Sequence, residues 1–501
     1  MATILSIQGT FNKPIPDNFG NAEYRQERQL LITIDDIIVR CELENPVIKY
    51  FLDVAYVNKV INVFGTEKSA NLTSKEKDNV RSNAVMALRI SILRKRLTVS
   101  LRDFALFLSH SDLYKWFCNI NRFALPKVPG KSMIGELENS IPSFLIEDIE
   151  IQVFTALQNK VLNILPKPLD FSKSYFDCTC ISANIHHPVD WLLFRDAIRT
   201  LMKATGRIRK LGLYHRMPYY PQEFITQINK YCMAMTFAKR KKGSKKLQKS
   251  ILRKMKKLLN KVNKHAMNHL KLLENQWQDA GISRLQTEQI LKQITNITDK
   301  LNAFVKNAHE RIIGERKVSN KEKILSLYEN DINIIVRKKI NAQVEFGNTL
   351  YIAEQENGVI IDWKFYRDSA PADCKMLEES YQRIKDNIGS ELNLCAGDRG
   401  FDSKSNQTFM ANNDIYNAVC PRNPELLIER LKEEEFRKAQ KRRSQTEARI
   451  SILSHCFCGS PMKQKGFDHR KIHMGLSILS HNLWVVARLK IAQEAAKEAA
   501  A

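Results

Sequence analysis

Residues 173–182, KSYFDCTCIS, form a short aromatic run between Pro168 and Pro188, set between two long regions of helical periodicity. The run reads as a buried β-strand. The next strand signal comes only after Lys323, where VEFGNTLYIA, Asn357-Gly358 and VIIDWKFY make two β runs joined by the strongest short hairpin signal. Beyond it, 372–387 reads as helix after Pro371, LNLCAGD as a strand ending at Asp398, IYNAVC as another strand, and 425–454 as one long helix. The order is therefore strand, helical insert, hairpin, helix, strand, helix, strand, helix.

With the insert set aside, three strands precede an alternation of helix and strand, which is the order of an RNase H-like α/β domain. The reading is a loose leader over 1–25, carrying Pro14, Pro16 and Gly20, then an all-helical region over 26–165. In that region Val47, Phe51, Val54, Val57 and Ile61 recur at helical spacing, and Thr73-x-x-Glu76 and Ser100-x-x-Asp103 have the form of capping boxes. A discontinuous α/β domain is expected over 166–200 and 323–490, a basic helical insertion over 201–322, and a tail over 491–501. In the insertion Gly281 separates two helices expected to fold back as a hairpin.

Charge constrains the partner. The 501 residues hold 79 Lys and Arg against 54 Asp and Glu, a net +25. About half of that excess lies in 239–264, which has 13 basic residues and no acid. Leu247, Ile251, Met255, Leu258 and Val262 recur at helical spacing there, so one face packs and the other stays cationic. Like charges so crowded repel one another unless a polyanion relieves them; of the default partners for such a surface, nucleic acid or an anionic membrane, DNA is the one expected for this run. Lys241, Lys242, Lys245, Lys246, Arg253, Lys256 and Lys257 are the expected phosphate contacts. No apolar stretch approaches the roughly 18 residues of a membrane span, and no signal peptide shows. Ten scattered cysteines make no disulfide framework and are expected reduced and mostly buried.

Three acids occupy special places: Asp177 within the first strand, Asp398 in a Gly-Asp-Arg-Gly loop, and Glu447 on the last long helix. Carboxylates converging at strand ends can hold two hard divalent cations for phosphodiester chemistry. Gly397 and Gly400 let the backbone turn sharply there, and Arg399 is placed to meet a phosphate. Asp190 is read as the N-cap of the helix WLLFRDAIRTL. His455, Cys456, Cys458, His469 and His473 have the wrong spacing for a common zinc finger, and no zinc site is expected.

The blocks around these acids resemble the DDE transposases of bacterial insertion sequences. DCTCISANIHHPVD at 177–190 resembles the family's first block, an Asp-x-Thr strand followed by Asn-Ile-x-x-Pro-x-Asp; KILSLYENDINIIVRKKINAQVEFGN at 323–348 resembles the segment before its β-hairpin, with Lys339 at the usual basic position. GDRGF at 397–401 is similar to the block of the second carboxylate, RRSQTEARISILSHCF at 442–457 to the Arg-x-x-x-Glu helix, and HMGLSILSHNLWVVARL to the closing helix. LTVSLRDFALFL and VPGKSMIGEL resemble parts of the family's helical domain, and only this resemblance gives 26–165 a DNA-binding role. Gln440 and Ser454 stand where relatives often have Tyr and Lys.

The resemblance implies a bacterial, cytoplasmic enzyme, nucleoid-associated when bound, that cleaves and transfers DNA strands at the terminal inverted repeats of an insertion sequence. It implies two Mg²⁺ or Mn²⁺ ions on Asp177, Asp398 and Glu447, phosphate contacts from Arg399, Arg443 and Lys339, and a homodimer or larger assembly on double-stranded DNA, the element ends and the target. The alternatives are an RNase H-like nuclease without strand transfer and a non-enzymatic DNA-binding protein derived from a transposase.

Overall fold

A computed structural model describes residues 20–63, 71–120, 127–336 and 344–500. The chain divides into two compact units, residues 1–183 with 335–501, and residues 184–334. The first unit begins with seven helices: α1 (Ala22–Arg40), α2 (Glu44–Val63), α3 (Ser74–Leu97), α4 (Leu101–His110), α5 (Asp112–Phe117), α6 (Lys131–Asn139) and α7 (Ser143–Gln158). Thr73 starts α3 as expected, its hydroxyl accepting the Glu76 amide while the Glu76 carboxylate accepts the Thr73 amide. The strand β1 (Lys173–Ser182) follows.

The second unit is a bundle of α8 (Asp190–Lys210), α9 (Pro221–Arg240), α10 (Lys245–Gln276) and α11 (Arg284–Ile312). Phe194, Leu201, Phe224, Met255, Val262, Ile294 and Phe304 share its core. Gly281 takes φ +65° between α10 and α11, a turn that an L side chain disfavours. The unit carries 31 Lys and Arg against 12 Asp and Glu, so most of the chain's charge excess is concentrated in it. It is wider than the 201–322 expected, since α8 belongs to it and not to the sheet-bearing unit. Asp190 is the first residue of α8 and not its N-cap, a position held by Val189. Its carboxylate accepts a hydrogen bond from Arg311 Nη1 at 3.0 Å, an ion pair linking α8 to α11.

The chain then contributes β2 (Asn333–Val336), β3 (Val344–Glu354), β4 (Ile360–Phe365), α12 (Leu377–Ile388), β5 (Leu394–Ala396), α13 (Lys404–Asn412), β6 (Tyr416–Asn417), α14 (Pro424–Arg430), α15 (Glu434–Ile452) and α16 (Phe467–Ala500). One mixed sheet runs β2-β3-β1-β5-β6, with β4 also paired to β3. β1 is antiparallel to β3 and β3 to β4, whereas β1 is parallel to β5 and β5 to β6. The molecule is thus mixed helix and sheet, and the hairpin at Asn357-Gly358 is present, with Gly358 at φ +90°.

Several boundaries differ from expectation. The long helix over 425–454 is two helices broken between Leu431 and Glu433, and no residue there marks the break. The last strand shrinks to two residues. Residues 491–500 continue α16, consistent with the high helix propensity of AQEAAKEAA. The N-terminal helices are not a separate body: Leu31 and Ile38 from α1, Leu88 and Ile92 from α3, and Leu479 and Leu483 from α16 share one core with Phe176 of β1 and Tyr351 of β3. Among the described residues no disulfide joins any of the ten cysteines, and five of them, Cys41, Cys118, Cys232, Cys395 and Cys458, are buried. Among the described residues, no helix is long and apolar enough to cross a membrane.

One buried acid ties this core to the sheet. Trp363 of β4 donates its indole N–H to Glu150 Oε2 of α7 at 2.8 Å, while Oε1 has no partner among the described residues. Burial, with Glu147 and Asp362 adding negative charge, pushes the Glu150 carboxyl up to about 8. The unfolded chain releases this proton near pH 4.5, so stability falls as pH rises from there to about 8. Glu150→Gln keeps an acceptor for Trp363 without the proton linkage. It is expected to raise stability by about 2–3 kcal/mol at pH 7 and to leave it unchanged at pH 4, read by urea denaturation at both values.

Candidate active site

Asp177 sits in the middle of β1, paired with Ile352 of β3. Strand alternation puts its neighbours Phe176 and Cys178 toward the core shared with the N-terminal helices. Tyr175, two residues away on the opposite face, packs instead with Phe436 and Ala439 of α15. Asp177 shares that face with Tyr175. Its Oδ1 accepts the Cys178 amide at 2.7 Å.

Parallel pairing brings the end of β5 beside β1, and the chain turns at once into Gly397-Asp398. Asp398 Oδ1 accepts the Gly400 amide at 2.7 Å. Gln440 of α15 donates to the carbonyls of Gly397 and Ala418, at 3.2 and 2.6 Å, tying the ends of β5 and β6 under the helix. Arg422 braces the loop from outside, its Nε on the Arg399 carbonyl at 3.0 Å and Nη2 on the Gly400 carbonyl at 3.2 Å. Arg399 itself is exposed.

From α15, Arg443 Nη1 lies 3.5 Å from Glu447 Oε1. The guanidinium is mostly buried, while Glu447 is 67% exposed. The electrostatics of Asp177 register all of these groups. Burial is the largest influence raising its carboxyl to about 6, the Cys178 amide opposes it, Asp398 and Glu447 add negative charge, and Arg443 offsets part of it. The three acids singled out in the sequence, with Arg443, are therefore electrostatic neighbours although far apart along the chain.

Sequence reasoning missed a fourth acid. A Cβ built on Gly400 would lie 2.5 Å from Asp373 Oδ2 and 2.9 Å from Asp398 Oδ1, so both carboxylates border the same glycine. Asp373 occupies a short 3₁₀ turn before α12, and its only sequence signal is an acid soon after Pro371. A side chain at position 400 would have to displace one of the two acids, which accounts for a glycine there.

An all-oxygen donor set suits hard divalent cations, and mutual repulsion around Asp177 is what a cation would relieve. As placed, however, Glu447 turns toward Arg443, and among the described residues no three His, Cys, Asp or Glu side chains close into a metal-holding group. Lys339 lies outside the described residues. His473, one of the histidines weighed for zinc, accepts from Lys95 Nζ at 2.7 Å and donates to the Cys458 carbonyl at 2.7 Å, and burial pushes the Cys458 thiol up to about 12.

The basic residues of the second unit divide in two. Lys241, Lys242, Lys246, Arg253 and Lys257 are exposed. Lys245 instead pairs with Glu315 at 2.6 Å, and half-buried Lys256 lies 3.5 Å from His309 Nδ1. Comparison with protein-family models, with curated proteins and with solved structures finds no match.

Proposed function

We propose that the chain is a DDE-type DNA transposase with an RNase H-like catalytic domain. It binds the ends of a mobile element, cuts them and joins them to target DNA, acting in the bacterial cytoplasm as an assembly of at least two copies. The observation that carries the reading is that Asp398, Glu447 and Arg443 act electrostatically on Asp177, on the central strand of a sheet in which β1, β3 and β4 pair antiparallel while β5 and β6 run parallel to β1. With the short β2 set aside, this order supports the RNase H-like reading. The basic second unit supports the choice of a polyanionic substrate.

Asp177, Asp398 and Glu447 would hold two Mg²⁺ or Mn²⁺ ions, which when bound neutralise phosphoryl charge and activate the attacking oxygen. The chain's own groups do the rest. The Gly400 amide and the Gln440 amide bonds fix the loop of Asp398. Arg443, beside Glu447 and Asp177, faces the charge that spreads over the equatorial oxygens during phosphoryl transfer. Arg399, exposed on the loop, is a contact for a neighbouring phosphate.

The test is an assay on a labelled duplex carrying the ends of the element that encodes the chain. Nicked ends and joined products that need Mg²⁺ and vanish with chelator are expected. Cut ends with no joined product would replace the reading by that of a nuclease, and end binding without cutting by that of a non-enzymatic DNA-binding protein.

A further inference from the structure

On α10 the exposed cations Lys246, Arg253, Lys257 and Lys264 are spaced seven, four and seven residues apart. At 3.6 residues per turn these spacings return to one side of the helix, so the four form a single row about 27 Å long. The row ends beside the loop that joins α8 to α9. His215 of that loop receives a hydrogen bond from Asn268 Nδ2 at 3.3 Å and donates its amide to His269 Nε2 at 3.3 Å. His265 feels the charges of His215, Lys261 and Lys264 together, which places the end of the row against the loop.

The loop presents three exposed aromatic rings: Tyr214, Tyr219 and Tyr220 are 66%, 52% and 73% exposed. Two of the rings are held, and the third sits on a fixed backbone. The Arg209 guanidinium lies over the Tyr214 ring, 4.9 Å from its centre, and is itself held by the His215 carbonyl at 3.0 Å. Tyr219 packs edge-on against buried Phe224, whose ring in turn meets His265. Tyr220 precedes α9, its amide donating to Glu223 at 3.0 Å. Aromatic rings left exposed on an anchored loop, at the end of a cationic row, are the features by which proteins bind unpaired nucleic acid: cations follow the backbone and rings take the bases.

We propose that this surface binds DNA with unpaired bases, the phosphates on the α10 row and the bases stacked on Tyr214, Tyr219 and Tyr220. The inference rests on the transposase reading for DNA as the substrate and adds that the second unit takes unpaired strand in preference to continuous duplex. The charge alone would serve either form, and the three rings make the difference, because bases paired inside a duplex have no free face to stack.

The experiment measures fluorescence anisotropy with the full chain, without divalent ion, on an oligothymidylate of about 20 nucleotides and on a duplex of the same length. Replacing the three tyrosines together by Ala is expected to weaken single-strand binding about 30-fold and duplex binding less than about 2-fold. Replacing all three by Phe is expected to restore it. Tyr220→Ala alone, at the most exposed ring, guards against a folding defect and is expected to cost about 5-fold. Lys246→Ala with Lys257→Ala should weaken both ligands and lower the salt slope by about 2. Because no cleavage is read, failure of the transposase chemistry leaves this result standing, and the reverse also holds. Unchanged single-strand affinity in the Ala variants overturns the proposal. So does a parallel loss on both ligands in the tyrosine-to-alanine variants, or a dependence on the tyrosines confined to anionic lipid vesicles.

Discussion

Asp177→Asn is expected to remove Mg²⁺-dependent cleavage, by on the order of 1,000-fold or more, and at the same time to stabilise the metal-free protein. The two effects have one cause. Burial, followed by the charges of Asp398 and Glu447, holds the Asp177 carboxyl at about 6 in the folded chain, above its ordinary 3.8. The unfolded chain therefore gives up this proton at lower pH, and stability falls as pH rises from about 4 to about 6. Above pH 6 the ionised group costs the folded state about 1–3 kcal/mol, which the uncharged amide avoids. The amide keeps an oxygen for the Cys178 N–H, so the strand geometry is conserved. Glu447→Gln provides the contrast: its side chain is largely exposed, so activity should be lost with no matching gain in stability. Cleavage of a labelled element end and urea denaturation at pH 7 and pH 4 read the two effects. An Asp177→Asn protein that still cuts, or that is less stable at pH 7, would show that this carboxylate does not stand at the centre of the site.

The elements that frame this site were legible because their signals are local. An aromatic strand bounded by prolines, an Asn-Gly turn and a Gly-Asp loop each state their conformation within a few residues. Asp177 alone reads as an ordinary strand acid, and it stood out only when joined to the Gly-Asp-Arg-Gly loop and the Arg-x-x-x-Glu helix. What the sequence hides is partnership. Helical periodicity in α1 and α3 tells that one face is buried, not that it packs against Phe176 and Tyr351 of the sheet, so the N-terminal helices read as a domain of their own. The same limit moved α8 into the second unit, because its apolar stripe fits the bundle core as well as it would fit a sheet. Asp373 was missed for a related reason: its closeness to Asp398 arises from the 3₁₀ turn beside Gly400 and from no motif. The adjacent arginines 442 and 443 look interchangeable in the sequence, yet one faces the carboxylates and the other is spent inside the fold.

That second arginine carries the other large expected effect. Glu354, at the end of β3, is fully buried, and its Oε1 accepts from Arg442 Nη1 at 2.6 Å and from Thr446 Oγ1 at 2.8 Å, both on α15. Arg449, two turns along, brings Nε within 3.4 Å of Oε2. Arg442 also donates to the carbonyls of Gln355 and Glu356, each at 2.8 Å, and its guanidinium lies 4.6 Å from the Tyr175 ring centre. The β3–β4 turn and α15 are thus joined by one carboxylate and two guanidiniums, and this junction fixes the side of α15 that presents Arg443 and Glu447. Glu354→Ala leaves both guanidiniums without their counter-charge in a dry setting, a change that costs about 3–5 kcal/mol. Gly358 tests the same junction sterically, since a Cβ there would lie 2.2 Å from Arg449 Nη2 and φ +90° already disfavours any side chain. Gly358→Ala is expected to cost about 1–3 kcal/mol through that strain and the displaced arginine. Urea denaturation measures both, and cleavage by the folded fraction should fall as well, because α15 loses its orientation. Glu354→Met fills the volume without charge, and pairing it with Arg442→Met and Arg449→Met removes the unbalanced cations. Recovery of stability in that triple variant, with cleavage still absent, would assign the network to orienting α15; full recovery of cleavage would mean that apolar packing alone sets the helix.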